Sequence, residues 1–371
     1  MVSPRHDPPF RAEHIGSLLR PRALKGAHKA HAAGDIGAAQ YQHAVEAAIV
    51  EAIHMQEQAG LRVITDGEFR RAAWSSALID ALDGLSQADS LFEFRDAEGG
   101  RHRWRTCCAT GPIRRARGIA TEEFDFVSAH TDQLPKVTLP TPSALHFYRG
   151  KGCVDPEVYP DLDQFWDDVV AVYRAEIAAL AACGATYLQL DEVPLAMLCD
   201  PDVQAQARDQ GEDPLALIET YIEVLNRALE GRPAEMTVGI HLCRGNFRGR
   251  WMAEGGYEPV AEALFNRLDV DAFFLEYDTP RAGDFAPLRF VPDDKTVVLG
   301  LISSKTATLE PVDALRHRID EAARQVPLDR LALSPQCGFA SVAGGNVISE
   351  DDERAKLALV TDVAEKVWGE V

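Results

Sequence analysis

Eight short apolar or β-branched runs, spaced along the chain by segments of helical period, predict an α/β fold of the (βα)8 TIM-barrel class. A second observation points the same way. The distinctive polar residues gather at the C-terminal ends of those runs, where such barrels build their active sites. A doubly wound sheet is the structural alternative. No Gly-x-Gly-x-x-Gly follows a strand, so its dinucleotide-binding form has little support.

The strand candidates are residues 11–15, 62–65, 136–139, 186–190, 237–242, 272–275, 296–301 and 331–333. A long helical pattern over 36–59 separates the first two. Over 162–182, Leu162, Phe165, Trp166, Val169, Tyr173, Ile177 and Leu180 recur at steps of three and four, which makes one apolar helix face. Leu215, Ile218, Ile222 and Leu225 repeat that spacing, and 259–268, 310–325 and 351–368 supply the remaining crossover helices. Two stretches resemble each other internally. Gly60 to Asp66 and Glu68 parallels Gly184 to Asp191 and Glu192: glycine at a helix end, a strand, then carboxylates. Residues 80–135 are irregular and read as an insertion between strands two and three of a single unit spanning 1–371. They carry Arg101, Arg103, Arg105, Arg114, Arg115 and Arg117, which suits a solvated hairpin or a wall facing an anionic substrate or a partner subunit.

With 371 residues, 46% hydrophobic and 26% charged, the chain can bury a large core. A net charge of −20 makes nucleic acid and anionic membranes poor partners. The first residues lack the apolar core of a signal peptide, and no apolar run approaches a membrane span. Seven cysteines in that setting suggest a reducing compartment, the cytoplasm, where cysteines serve as ligands, nucleophiles or packing.

Strand one ends in His14, Gly16 and Ser17, strand two in Asp66, Glu68, Arg70 and Arg71, and strand three in Ser143, with His146 beyond. Strand four ends in Asp191 and Glu192, strand six in Glu276, and strand seven in Ser303, Ser304 and Lys305. On strand five, His241 and Cys243 are two residues apart and point to one face. Taken alone, that triplet also fits a buried histidine beside a buried cysteine. Joined by Glu276 and by Cys337 after strand eight, it offers N, O, S and S donors suited to Zn2+. An iron–sulfur cluster is less well supported, because only two cysteines sit at strand ends.

The runs HIGSLLRP, VITDGEFRR, YLQLDE, HLCRGNF, FFLEYD, VVLGLISSK and LSPQCGFAS occur in one order. In them the chain resembles the cobalamin-independent methionine synthase family, in its short branch containing only the catalytic barrel, from residue 10 to about 365. The resemblance implies a (βα)8 barrel in which zinc, held by His241, Cys243, Glu276 and Cys337, activates a homocysteine-like thiol for methylation to methionine. It implies Ser17, Glu68 and Asp191 as contacts to the amino-acid head of that substrate. Chemistry agrees. A free thiol has a pKa of about 8.5, and a metal ligand must be deprotonated. An ammonium group needs carboxylates near it. Methyltetrahydrofolate and a methylated corrinoid protein are the donors this implies, and the folate nitrogen needs a general acid to leave.

Two departures bear on the donor. Full-length members carry a further N-terminal barrel, and after strand seven they have an Asp-x-His-Ser-Pro motif where this chain has Gly300 to Lys305. His146 is the local candidate for a replacement acid. A homodimer is kept as an assembly. Two alternatives stay open. An epoxyalkane:coenzyme M transferase-like reaction would use Arg70, Arg71, Arg244 and Lys305 on a sulfonate, although Glu68 and Asp191 would repel it. A zinc hydrolase would need only zinc-activated water and a base, but no His-Glu-x-x-His is present.

Overall fold

The computed structural model describes residues 6–96 and 98–371. In chain order its strands are β1 (Val63–Ile64), β2 (Leu82–Asp89), β3 (Phe94–Arg95), β4 (Arg101–His102), β5 (Arg105–Arg115), β6 (Leu134–Pro135), β7 (Val137–Pro140), β8 (Tyr187–Glu192), β9 (Thr237–Leu242), β10 (Ala272–Glu276), β11 (Thr296–Ile302) and β12 (Leu331–Pro335). From β7 to β12, neighbours in sequence are neighbours in one parallel sheet. Helices cross between them, as a barrel requires. Beyond β7 the wall continues through β6, which pairs in parallel with β1. Beyond β12 it continues through Ala12, which bridges Leu333 in parallel.

The expected first strand, 11–15, is thus a single bridge. Its carbonyls explain why. Lys136 Nζ donates to His14 O, Gln189 Nε2 to Ile15 O at 2.6 Å, and Thr65 Oγ1 to Gly16 O at 2.7 Å. Side chains therefore hold acceptors that a ladder with β1 would use. A backbone bond joins the two segments further on, where Leu18 N donates to Gly67 O at 3.0 Å.

The crossover helices form where the apolar steps predict them. Helix Leu162–Ala182 buries Phe165, Trp166, Val169, Tyr173, Ile177 and Leu180, and Asp161 caps it by accepting from Asp163 N. Helix Ala38–Gln58 buries Val45, Ile49 and Ile53, and Pro214–Leu229 buries Ile218, Ile222 and Leu225 while leaving Leu215 exposed. Helix Glu350–Trp368 starts with Ser349 and Asp352 bonding reciprocally.

Inside the barrel, Phe10, Ile15, Val63, Tyr187, Phe274 and Val298 pack together. A Cβ at position 239 would lie 2.7 Å from the Phe274 ring, so Gly239 makes room for it. Lys136 and Glu13 form a wholly buried ion pair at 3.1 Å beside that cluster. Lys136 also sits over the Phe274 and Tyr187 rings at 5.0 and 5.5 Å. Between β1 and β6, strands β2 and β5 form an antiparallel hairpin, and β3 and β4 a smaller one beyond it. This segment returns to the barrel mouth. Arg95 N donates to Trp251 O at 2.7 Å, and Trp251 N to Arg95 O at 3.1 Å.

Candidate metal centre and substrate cavity

β9 delivers His241, with Cys243 one residue past its end, where Cys243 N donates to Glu192 O at 2.9 Å. β10 ends on Glu276, and Cys337 follows β12 by two residues. All four are buried, and one donor atom from each lies within 4.8 Å of the others. The two sulfurs are 3.4 Å apart. Neither ring nitrogen of His241 has a sound hydrogen bond among the described residues. Glu276 Oε1 accepts from Arg244 N at 2.8 Å, and its Oε2 faces Lys305 Nζ at 3.8 Å.

The charges here are mutually tuned. The contact with Cys337, then burial, pushes the Cys243 thiol well up. Cys337 is held well below the usual thiol range by Cys243 and His241, against burial. Burial would lower the His241 pKa, yet the Cys337 sulfur, Asp191 and Glu276 raise it. Burial raises Glu276 against the pull of Lys305. The four donors thus compete for protons in one buried cluster, and a metal bound there would displace those protons.

The cluster opens on a cavity of ≈ 190 Å³ accessible to water. Ser17, Glu68 and Asp191 line it too, so six of the eight expected site residues line one cavity, and Glu276 adjoins it through the donor cluster. Each carboxylate is fixed by one oxygen. Glu68 Oε1 accepts from Thr138 Oγ1 at 3.0 Å, while its Oε2 has no hydrogen bond. Asp191 Oδ1 accepts from Gln189 Nε2 at 2.7 Å. Burial raises both pKa values, that of Asp191 to about 7. Glu68 has φ 61°, a costly conformation for a residue with a side chain, and Arg20 clamps its carbonyl. Gly338 passes so close to Ser17 that a Cβ there would stand 2.0 Å from the hydroxyl.

His146 is elsewhere. Its Nδ1 bonds the Tyr221 hydroxyl at 2.8 Å, its ring packs on Trp166, and it does not line the cavity. Burial lowers its pKa to about 4. Three of the four cations considered for a sulfonate are also committed. Arg71 grips Glu123 and Thr138, Arg244 grips Gly255 O and Tyr257, and Arg70 lies over the Phe126 ring.

The outer wall was not legible as a site. Trp74, Phe94, Trp104, Arg105 and Phe247 line it, three of them from the irregular segment. Phe94 stacks obliquely against Phe247 and Trp104 at 5.2 and 5.9 Å. The run of arginines at 101–105 was the one signal, and Trp104 stands within it. Asn246, also on the cavity, donates to Ser304 Oγ and to Gly338 O.

Comparison with known proteins agrees with this geometry. Residues 10–366 match the family model described as cobalamin-independent synthase, catalytic domain. The uncharacterized protein YxjH of Bacillus subtilis is 39% identical over 97% of this chain and 95% of its own. A methionine synthase of Pyrococcus abyssi is 27% identical over 88% of this chain and 85% of its own. The crystal structure of a putative vitamin-B12 independent methionine synthase from Listeria monocytogenes superposes with TM-score 0.75 at 34% identity, covering 100% of both chains. Among the described residues, no helix is long and apolar enough to cross a membrane. By its motifs, its barrel and the family model that spans it, this chain belongs to the cobalamin-independent methionine synthase family of methyltransferases, through that family's catalytic domain.

Proposed function

We propose that this protein is a zinc-dependent thiol methyltransferase that converts homocysteine to methionine. One observation carries the reading: His241, Cys243, Glu276 and Cys337 converge within 4.8 Å, and three of them line one cavity with Ser17, Glu68 and Asp191. The donor set fits zinc, with one imidazole, two sulfurs and one carboxylate, and an imidazole whose nitrogens are otherwise unspent. When bound there, zinc would lower the pKa of a substrate thiol and keep it nucleophilic at neutral pH.

The chain's own residues do the rest. Glu68 and Asp191 each present an oxygen that their anchors, Thr138 and Gln189, leave free for an ammonium group. That charge draws both acids into their ionised forms. Ser17, with its backbone amide, takes the substrate carboxylate. The aromatic wall formed by Trp74, Phe94, Trp104 and Phe247 excludes water and receives the methyl donor, either methyltetrahydrofolate or a methylated corrinoid protein. His146, bonded to Tyr221 and off the cavity, is not assigned the leaving-group proton. A reducing cytoplasm suits the two thiolate ligands. Of the cations weighed for a sulfonated thiol, Arg70, Arg71, Arg244 and Lys305, none lines the cavity, although Arg105 does.

Metal analysis and X-ray absorption at the zinc edge, with and without L-homocysteine, test this reading. The expected result is one zinc per chain and an added zinc–sulfur distance on adding homocysteine. Protein without zinc, or an edge that homocysteine leaves unchanged, would overturn it.

A further inference from the structure

The loop after β11 puts a lysine where a metal centre has little apparent use for one. Lys305 is 9% exposed, and its Nζ makes no hydrogen bond among the described residues. Its ion pair is with Glu276 Oε2 at 3.8 Å. The loop is firmly placed. Ser303 Oγ donates to Asp278 at 2.8 Å, Ser304 N to Gln336 Oε1, and Ser304 Oγ to Gly338 O at 3.1 Å. Lys305 N donates to Ser303 Oγ at 3.3 Å. These bonds fix the backbone of Lys305 beside the cluster, and its ammonium faces Glu276 there. The other buried cation nearby, Arg244, is spent on Gly255 O and Tyr257.

Charge counting gives the lysine a purpose. Cys243, Cys337 and Glu276 as anions bring three negative charges to a dication, leaving one in excess. A thiolate substrate adds another beside these buried groups, where charges interact more strongly than in water. We infer that Lys305 is a positioning residue that admits the thiolate substrate, by compensating the negative charge that accumulates at Glu276 and the two cysteines. The inference rests on the proposed zinc-thiol reading and names the residue that sets the thiol's affinity.

The signs of the two effects are opposite. Removing a cation from the site strengthens the hold on a dication and weakens the hold on an anion. A merely structural lysine would weaken both when replaced. The experiment compares wild type with Lys305→Met, Lys305→Gln and Lys305→Arg on two readouts. One is zinc retention against a chromophoric chelator. The other is the homocysteine dissociation constant, read from the thiolate charge-transfer band of the cobalt-substituted protein. The expected result is that Met and Gln variants keep zinc at least as firmly as wild type and bind homocysteine about tenfold or more weakly. The Arg variant should recover most of that affinity. Unchanged homocysteine affinity in the Gln variant overturns the inference alone, as does a parallel loss of zinc and homocysteine. Wild-type protein that takes up neither zinc nor cobalt overturns the inference together with the function it rests on.

Discussion

The two sides of the barrel mouth are held by different means. The proposed metal ligands stand at the ends of β9, β10 and β12, inside a parallel ladder that joins β7 to β12. Ser17 and Glu68 stand across the seam between residue 12 and β1, where side chains take the place of a backbone ladder. Arg20 is the main tie on this side, donating to the carbonyls of Leu18, Glu68, Arg71 and Ala340. A ladder spreads its cost over many bonds, so a ligand can change while the frame stands. A seam of single side chains concentrates the cost, so its fold and its substrate site fail together.

The largest expected effect lies on the ladder side. Cys243→Ser and Cys337→Ser should each lose bound zinc and more than about 100-fold in methyl transfer while thermal unfolding stays close to wild type. Metal analysis beside calorimetry checks this, and a collapse of the melting temperature would break the contrast. Next comes Asp191→Asn on β8, which should raise the homocysteine KM by about tenfold to a hundredfold with zinc retained. Equal loss of zinc would give Asp191 a structural role instead.

On the seam side, Arg20→Met should cost about 3 kcal/mol of stability, since it leaves several buried carbonyls without a charged donor. It should also raise the homocysteine KM, because the Glu68 carbonyl it clamps loses its anchor. Urea unfolding beside steady-state kinetics would show both, and a change in only one would separate what the seam joins. The smallest effect is a pH slope. Glu353 accepts from Leu19 N at 2.9 Å, and burial raises its pKa to about 8. The folded chain therefore holds a proton that the unfolded chain releases near pH 4, and this contribution to stability falls as pH rises from about 4 to about 8. Glu353→Gln should flatten that part of the profile in urea titrations.

Much of this was readable in advance, and the exceptions have physical causes. The ladder strands are short buried runs between helices of clear period, so both their order and their polar ends show in one dimension. At residues 11–15 the pattern is apolar enough for a strand, but Lys136 and Gln189, more than a hundred positions away, claim the carbonyls. His146 follows a strand as a catalytic residue would. Its burial against Trp166 and Tyr221 depends on helices that no local pattern aligns with it.

By itself the sequence determined the barrel, the four donors at three strand ends and the carboxylates facing them, because strand ends in a parallel barrel converge on one mouth whatever the loops do. Tertiary structure alone decided three things: which of Arg70, Arg71, Arg244 and Lys305 would remain near the chemistry, that an aromatic wall from residues 74 to 247 would close over it, and that the seam would be sewn by side chains. Each depends on contacts between distant segments, where a charge is either spent on a nearby carbonyl or left facing the site, and spacing along the chain carries no record of that choice.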